Sequence, residues 1–295
     1  MSVPLPTVCF IGAGNMGSAI ISGIEASDNP PSIRICEPYA PTAQKHKDAG
    51  RSVFDNAKDT IPTSGPAIVV LAVKPQMIAG CAEGLAPLLS KDTLVVSILA
   101  GTTCAVLEKL LGSDLRVVRA MPNTPMMISE GMVGIAKGTN ATDTDLDMAE
   151  VLFSAAAKVL RVAEPQLDAL TAVSGSGPAY LFRFAEAQVA AAKELGFSDE
   201  DAALLVGQTI RGSINYLMSE MGFPAGTLRK QVTSPGGTTA AALDSFNDDG
   251  ISEMVKRAFF AARDRSIELA RQAETKAGLS AVPSPKSKRA PEEQE

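Results

Sequence analysis

The sequence predicts an α/β protein with two domains: a doubly wound parallel sheet followed by an all-helical domain. Short β-branched runs alternate with helix-compatible stretches through the first half, and a glycine-rich turn follows the first run. Near residue 165 the β-rich runs stop and long Ala-rich stretches begin. We therefore expect a sheet domain over residues 1–163, a helical domain over 164–275 and a disordered tail over 276–295.

The first-half strand candidates include several that are apolar on both faces, as strands buried in a parallel sheet are. Helix-compatible stretches lie between them, and a helix is expected to start near Asp143. Alternation of this kind predicts right-handed crossovers. The candidates are TVCFI (7–11), SIRIC (32–36), AIVVLAV (67–73), TLVVSIL (93–99), LRVVRA (115–120), GMVGIAK (131–137) and KVLRV (158–162).

The second half predicts long helices over about 178–195, 199–220, 238–246 and 251–273. Their many Ala and Gly residues permit close approach between helices, but a bundle of such small side chains is thin by itself. We expect a second copy of the chain to complete it, giving a homodimer or a higher homo-oligomer through the helical domain.

Composition bounds the function. The 295-residue chain carries a net charge of −6, which argues against nucleic acid as a partner and favours a small-molecule substrate. The sequence contains no apolar run long enough to span a membrane and no basic segment before the first apolar stretch. The 4 cysteines lie far apart without a CxxC pair, which predicts buried thiols in the cytoplasm and no metal site.

His46 is the only histidine, and it lies in the polar run AQKHKDAG. We expect that run to be a solvated helix end and His46 to lie at the surface. Hydrolases with a Ser-His-Asp triad, His-ligated metal enzymes and dehydrogenases with a His acid would all depend on this one residue, so the sequence disfavours them.

The segment IGAGNMGSAI places glycines in GxGxxG register between a strand and a helix. In a dinucleotide-binding Rossmann domain, Gly12 makes the tight turn, Gly14 lets the pyrophosphate approach and Gly17 lets the helix pack on the strand. We therefore expect the loop and helix start to bind a dinucleotide through Gly12, Ala13, Gly14, Asn15, Met16 and Gly17.

Other strand ends carry residues suited to the same ligand, namely LAVKP, SILAG and AMPNTP. Lys74 is expected to face phosphate or substrate. Glu37 ends the second strand, where a carboxylate accepts from the ribose hydroxyls and repels a 2′-phosphate, so it favours NADH over NADPH. The alternative is an exposed glutamate that points away from the ligand.

A second anion-binding loop, in addition to the glycine loop, is predicted at TSPGGTT, which runs straight into an Ala-rich helix. We call these two anion-binding loops the first and second cradles. Backbone N–H groups and threonine hydroxyls at a helix start would hold a substrate carboxylate against the nicotinamide. The alternative is an ordinary helix start capped by Thr or Ser.

The motifs GAGNMG, LAVKP, RAMPNTP, LTAVSGSGPAY and QVTSPGGTTAAALDSF together resemble those of the pyrroline-5-carboxylate reductase family, in consistent order over residues 7 to about 273. The resemblance implies NAD(P)H-dependent reduction of 1-pyrroline-5-carboxylate to L-proline, the last step of proline biosynthesis. It also implies an active site between the cofactor domain of one subunit and the helical domain of another.

Carried over by motif, the resemblance implies roles for residues of both domains. In the cofactor site it adds Asn56, Ala72, Lys74, Pro75, Ala100 and Gln231 to the glycine loop and Glu37. It implies substrate binding by Glu164, Ser234, Gly236, Gly237, Thr238 and Thr239, with the Thr239 hydroxyl on the ring nitrogen as the catalytic contact.

The chain departs from many relatives at two places. Gly222 and Phe223 stand where those relatives have an acidic residue and a histidine, which puts a proton relay there in doubt, and Lys230 replaces an acid. A cyclic imine is basic enough to arrive protonated, so no strong protein acid is required. Catalysis would then rest mostly on positioning.

Two alternatives remain open on the sequence. A β-hydroxyacid or another imine dehydrogenase would share the architecture, but the hydroxyacid enzymes use a lysine in the first long helix after the sheet, where this chain offers Arg183 and only a distal Lys193. A non-catalytic dinucleotide sensor would keep the glycine loop, yet it has no need of TSPGGTT.

Overall fold

The computed structural model describes residues 4–279, and within them eight strands form a single sheet. The strand order is β3-β2-β1-β4-β5-β6-β7-β8. Its first six strands follow the order of dinucleotide-binding folds, in which the chain reverses direction across the sheet between β1 and β4. The strands are β1 Thr7–Ile11, β2 Ile33–Cys36, β3 Ser52–Phe54, β4 Ala67–Leu71, β5 Thr93–Ser97, β6 Arg116–Met121, β7 Gly131–Lys137 and β8 Ala157–Arg161.

Strands β1 to β6 are parallel, as the alternation predicts, but β7 pairs antiparallel with β6 and β8 runs parallel to β7. The predicted parallel sheet is confirmed for β1 to β6, and the antiparallel pairing of β7 with β6 is a feature that the sequence reasoning did not predict. The segment 122–130 between β6 and β7 is shorter than the roughly dozen residues that a parallel crossover needs, so the chain turns back.

Twelve α-helices surround and follow the sheet in the described chain. The predicted long helices of the second half are confirmed within a few residues, whereas the sequence reasoning missed β3, α3, α7 and α10. The helices are α1 Asn15–Glu25, α2 Ala40–Asp48, α3 Ala57–Thr60, α4 Ile78–Leu85, α5 Cys104–Leu111, α6 Asp143–Ser154, α7 Gln166–Leu170, α8 Gly177–Glu194, α9 Asp199–Ser219, α10 Ala225–Gln231, α11 Thr238–Asp248 and α12 Ile251–Lys276.

The sheet is buried on both faces, which explains its continuous apolar strands. Along β1, Val8 and Phe10 face one core with α1 and α6, while Cys9 and Ile11 face the other with α4 and α5. All four side chains are at most 5% exposed. This two-sided packing fixes the strand ends, and with them the loops that follow.

The helical domain buries little within one chain. Helices α8, α10 and α11 contain no fully buried residue, and large apolar side chains lie exposed along the domain. Examples are Phe182 at 64% and Leu204 at 67% exposure. The end of α12 packs against the sheet domain, where the Leu269 Cβ lies 3.0 Å from the Cβ position of an alanine at Gly101.

The expected tail begins at the end of α12, but residues 280–295, including its KSKR run, lie outside the described residues. None of the helices described between residues 4 and 279 has the length and apolar character needed to cross a bilayer. Over the same residues, no cluster of three or more His, Cys, Asp or Glu side chains could hold a metal ion.

Candidate active site

The glycine loop after β1 has the geometry that its spacing predicts. Gly12 has φ +88°, and a Cβ there would lie 2.9 Å from the Ala72 carbonyl oxygen. A Cβ on Gly17 would lie 3.2 Å from the Gly12 carbonyl oxygen, whereas one on Gly14 meets nothing within 4 Å. Gly12 thus permits the turn, Gly17 the helix packing, and the space beside Gly14 stays open for a ligand.

Helix α1 begins at this loop without a capping side chain. Gly14 is its N-cap residue, and no side chain accepts from the first-turn N–H groups. Gly14 and Asn15 are exposed and Met16 is partly exposed. Uncapped N–H groups and the positive end of the helix dipole suit a pyrophosphate.

The backbone of Ala13, within this loop, is held on both sides of its Cα. Its N–H donates to Glu37 Oε2 at 2.9 Å, and its carbonyl oxygen lies 3.0 Å from His46 Nε2. The other oxygen of Glu37 accepts from the Tyr39 N–H at 3.0 Å. Glu37 is only 8% exposed, so it faces the glycine loop and does not point away.

The expectation of a surface position for His46 is wrong, because the side chain is 2% exposed. The polar run AQKHKD forms α2, and its His46 side chain turns inward beneath the glycine loop. No sequence signal distinguished this histidine from its solvated neighbours, because the partners of its Nε2, Ala13 and Ser18, lie far away along the chain.

Apart from Gln231, the other predicted cofactor residues lie at or just after the ends of neighbouring strands. Hydrogen bonds tie these ends together, with the Ala72 N–H donating to the Ile11 carbonyl and the Ile98 N–H to the Leu71 carbonyl, at 2.9 and 3.1 Å. Asn56 caps α3 by accepting from the Asp59 N–H. The structure thus brings the carboxyl ends of the central strands β1, β4 and β5 side by side, and we call this side of the sheet the cofactor edge.

A cavity of about 400 Å³ adjoins this edge, between the sheet domain and the end of α12. Pro75 and Ala100 line it from the sheet domain, and Leu269 and Lys276 line it from α12. Lys74 itself is exposed at the mouth of β4.

The second cradle has a similar geometry. Gly237 is the N-cap residue of α11, and no side chain caps that helix, so the alternative of an ordinary Thr or Ser cap is not what the structure has. Gly236 has φ +68°, and the Gly237 N–H donates to the Ser234 carbonyl at 3.1 Å. Thr238 and Thr239 form the first turn of α11.

The structure does not bring this second cradle to the cofactor edge of the same chain. Among the described elements, α11 packs chiefly against α12. Ser234, Gly236 and Thr238 are exposed, and Gln231 at the end of α10 is exposed as well.

Glu164 lies where the two domains join. Its Oε1 accepts from the Cys104 N–H at 2.7 Å and from Arg119 at 3.3 Å. Arg119 is 3% exposed and also lies 3.8 Å from Asp168, which accepts from the Ser266 hydroxyl at 2.7 Å. The sequence reasoning missed this network, whose one signal was an arginine at the start of RAMPNTP.

The cysteine expectation is confirmed for three of the four thiols. Cys9, Cys36 and Cys104 are buried and Cys81 is partly exposed, and all four are free. Burial raises the pKa of the Cys9 thiol to about 11 and also raises the pKa of Cys36 and Cys104. These thiols therefore stay protonated and unreactive in the folded protein.

Comparison with known proteins gives the family. Residues 164–269 match a family model described as pyrroline-5-carboxylate reductase dimerisation, and residues 7–101 match one described as NADP oxidoreductase, coenzyme F420-dependent. Pyrroline-5-carboxylate reductase of Pseudomonas aeruginosa is 42% identical over 270 residues, which cover 90% of this chain and 98% of that protein. The chain belongs to the pyrroline-5-carboxylate reductase family.

Solved structures of the family share this fold over nearly their whole length. The pyrroline-5-carboxylate reductase of Coxiella burnetii aligns with a TM-score of 0.81 and 34% identity, covering 89% of this chain and 98% of its own. The Plasmodium falciparum enzyme, solved with NADP bound, aligns with a TM-score of 0.78 and 29% identity, covering 90% and 98%. The family resemblance of the five sequence motifs is confirmed.

The first departure from the family pattern lies in the turn between α9 and α10. Gly222 and Phe223 both have positive φ, +76° and +52°, and Phe223 is 63% exposed. Neither residue has an ionisable side chain, so these two residues supply no acid at this turn.

Proposed function

We propose that this chain reduces the cyclic imine 1-pyrroline-5-carboxylate to L-proline with a pyridine nucleotide as hydride donor. One observation carries the proposal: each domain presents a glycine loop that runs into a helix with a glycine N-cap and no capping side chain, α1 in the sheet domain and α11 in the helical domain. The reaction has two anions to hold, the nucleotide pyrophosphate and the substrate carboxylate, and each cradle suits one of them.

The sheet-domain residues fit a dinucleotide, as the open space beside Gly14 and the uncapped start of α1 indicate. When bound there, the nicotinamide supplies the hydride. The backbone of residues 12–17 would hold the pyrophosphate, and Glu37 would accept from the adenosine ribose. The remaining assigned contacts are Asn56, Ala72, Lys74, Pro75, Ala100 and Gln231.

On the substrate side, the N–H groups of the loop 234–239 would bind the carboxylate, and the Thr239 hydroxyl would orient the ring nitrogen. Glu164 Oε1 accepts hydrogen bonds from Arg119 and from the Cys104 N–H, and the proposal assigns the contact with the substrate to Oε2. The imine nitrogen takes its proton from water or arrives protonated. His46 is not used as an acid, because its side chain is buried beneath the glycine loop.

The nucleotide we propose is NADH in preference to NADPH. Glu37 follows β2, and its two carboxylate oxygens accept from the Ala13 and Tyr39 N–H groups, so the charge stays where a 2′-phosphate would lie. The nearby Arg34 offers no compensation, because it donates to the Thr60 carbonyl and stacks over Phe54. We expect kcat/KM for NADH to exceed that for NADPH by about tenfold or more.

The complete active site, in this proposal, lies between subunits of a homo-oligomer. The exposed apolar side chains of the helical domain and the match of residues 164–269 to the dimerisation model support it. A partner chain would bring its α11 cradle to the cofactor edge of this chain, and this chain would return the same contact. The helical domain would then bury between subunits what it leaves exposed in one chain.

Initial rates test the chemistry. NADH and NADPH oxidation would be followed separately on adding 1-pyrroline-5-carboxylate, with a β-hydroxyacid and NAD⁺ as the comparison. Turnover of the imine, with NADH preferred, is the expected result. Oxidation of the hydroxyacid without reduction of the imine would overturn the proposal. A sensor without catalysis would turn over neither and would gain no thermal protection from proline.

A mixed oligomer tests the shared site. Gly14→Asp places a negative charge in the glycine loop, where a new Cβ meets nothing within 4 Å. Thr238→Asp places a negative charge in the second cradle, at an exposed position. Each variant alone should be inactive. Random dimers refolded from an equal mixture should regain about a quarter of native activity, because half are mixed and each mixed dimer has one intact site. No recovery would place both cradles of a site on one chain.

A further inference from the structure

His46 belongs to a buried polar network beneath the glycine loop. Its Nδ1 lies 2.8 Å from Arg51 Nη1, and its Nε2 lies 3.0 Å from the Ala13 carbonyl oxygen and 3.2 Å from Ser18 Oγ. Arg51 is itself held by an ion pair to Glu25 at 2.6 Å. The network joins α1, α2 and the glycine loop.

The network fixes the tautomer of the ring. A guanidinium carries only donors, so Nδ1 of His46 must accept from Arg51. Nε2 therefore carries the hydrogen and donates it to the Ala13 carbonyl oxygen. The Ser18 hydroxyl donates to the same oxygen at 2.9 Å.

The Ala13 backbone is consequently held on both sides of its Cα, because Glu37 accepts from its N–H and His46 donates to its carbonyl. That carbonyl belongs to the Ala13–Gly14 peptide group, whose other polar end is the Gly14 N–H at the uncapped start of α1. The hydrogen bond from His46 restrains rotation of this peptide group, so the Gly14 N–H keeps one direction before any ligand arrives. Less ordering is then needed when the pyrophosphate binds.

We propose that His46 is a positioning residue for the nucleotide, acting through the Ala13–Gly14 peptide group without touching the ligand. The inference rests on the proposed binding of NADH at the glycine loop. It assigns a role to the one histidine of the chain, which the imine-reducing chemistry does not use.

Two substitutions distinguish the effect of losing the N–H donor of His46 from the effect of losing the volume of its ring. His46→Gln keeps an N–H donor at about the reach of Nε2, whereas His46→Met fills similar space without a donor. Losing the donor should raise the Kd for NADH about tenfold, which is ~1.4 kcal/mol. His46→Gln should stay within about threefold of native.

The measurements are NADH affinity by fluorescence titration, the KM for the imine at saturating NADH, and kcat. We expect the substitutions to act on NADH affinity, with the imine KM and kcat within about twofold of native. Thr93→Val is the matched control: it removes another buried side-chain hydrogen bond, at the start of β5 and away from the loop. It should lower thermal stability and leave the Kd for NADH unchanged.

Arg51→Met provides an independent variant, because it leaves His46 in place but removes the donor that holds the ring. It should raise the Kd for NADH about threefold. Native affinity in both His46→Met and Arg51→Met, or equal losses in the Gln and Met variants, would overturn the positioning role. Failure of the native protein to bind NADH would overturn the proposed function as well, so the two failures are distinguishable.

Discussion

The substitution Gly12→Ala should make the sheet domain less stable than in the native protein, whereas Gly14→Ala, two residues later, should not. Gly12 has φ +88°, where an L-residue is strained by about 1–2 kcal/mol. The added Cβ would also lie 2.9 Å from the Ala72 carbonyl oxygen and 3.0 Å from the Val73 nitrogen. These are backbone atoms, so no side chain can rotate to relieve the contact.

The expected loss of stability is the sum of the backbone strain and the overpacking. Overpacking of this kind costs about 1–3 kcal/mol, so Gly12→Ala should lower the free energy of unfolding by about 2–5 kcal/mol in all. At Gly14, φ is −63° and nothing lies within 4 Å of the new Cβ. The loss of a glycine N-cap there costs below about 1 kcal/mol. The methyl group instead occupies the space proposed for the pyrophosphate.

Urea denaturation and NADH titration on both variants would check this. Gly12→Ala is expected to lose stability, and Gly14→Ala is expected to keep stability while its Kd for NADH rises about tenfold or more. Equal stability of the two variants would refute the assignment of the turn to Gly12. Native NADH affinity in Gly14→Ala would refute the placement of the pyrophosphate.

Three further predictions follow from the same structure. Glu37→Gln should reduce the preference of kcat/KM for NADH over NADPH about tenfold, by removing the charge that repels a 2′-phosphate; an unchanged ratio would contradict the specificity proposal. Arg119→Met should lower the free energy of unfolding by about 2–4 kcal/mol, measured in urea, because it leaves the partly buried Glu164 carboxylate without its cation; native stability would show that the ion pair contributes nothing. A thiol reagent at pH 8 should label Cys81 first, because a pKa of about 11 leaves Cys9 with roughly one thiolate in a thousand, and rapid labelling of Cys9 would contradict its burial.

Most of the sheet could be predicted because its strands are buried on both faces and therefore read as apolar runs. Strand β3 could not, since Ser52–Phe54 is three residues long and lies at the sheet edge, where burial leaves little pattern. The reversal of β7 could have been predicted, because the strand candidates 115–120 and 131–137 leave only residues 121–130 between them, fewer than a parallel crossover needs.

The nucleotide loop could be predicted because each of its glycines answers a local backbone demand that recurs in a fixed register. The burial of His46 could not be predicted, because the groups that its Nε2 contacts are distant in sequence: Ala13 lies 33 residues earlier and Ser18 lies 28 residues earlier. The same holds for Arg119, whose carboxylate partners Glu164 and Asp168 lie in the next domain. Long-range polar networks leave no periodic trace in a sequence.

The central claim is hydride transfer to a cyclic imine, and an isotope experiment tests it most directly. The native protein would be incubated with 1-pyrroline-5-carboxylate and NADH carrying deuterium at the transferred position. We expect L-proline with one deuterium on the former imine carbon, found by mass spectrometry and NMR, with NAD⁺ formed in equal amount. NADH oxidation without labelled proline, or no turnover by a folded oligomer that binds NADH, would contradict the account.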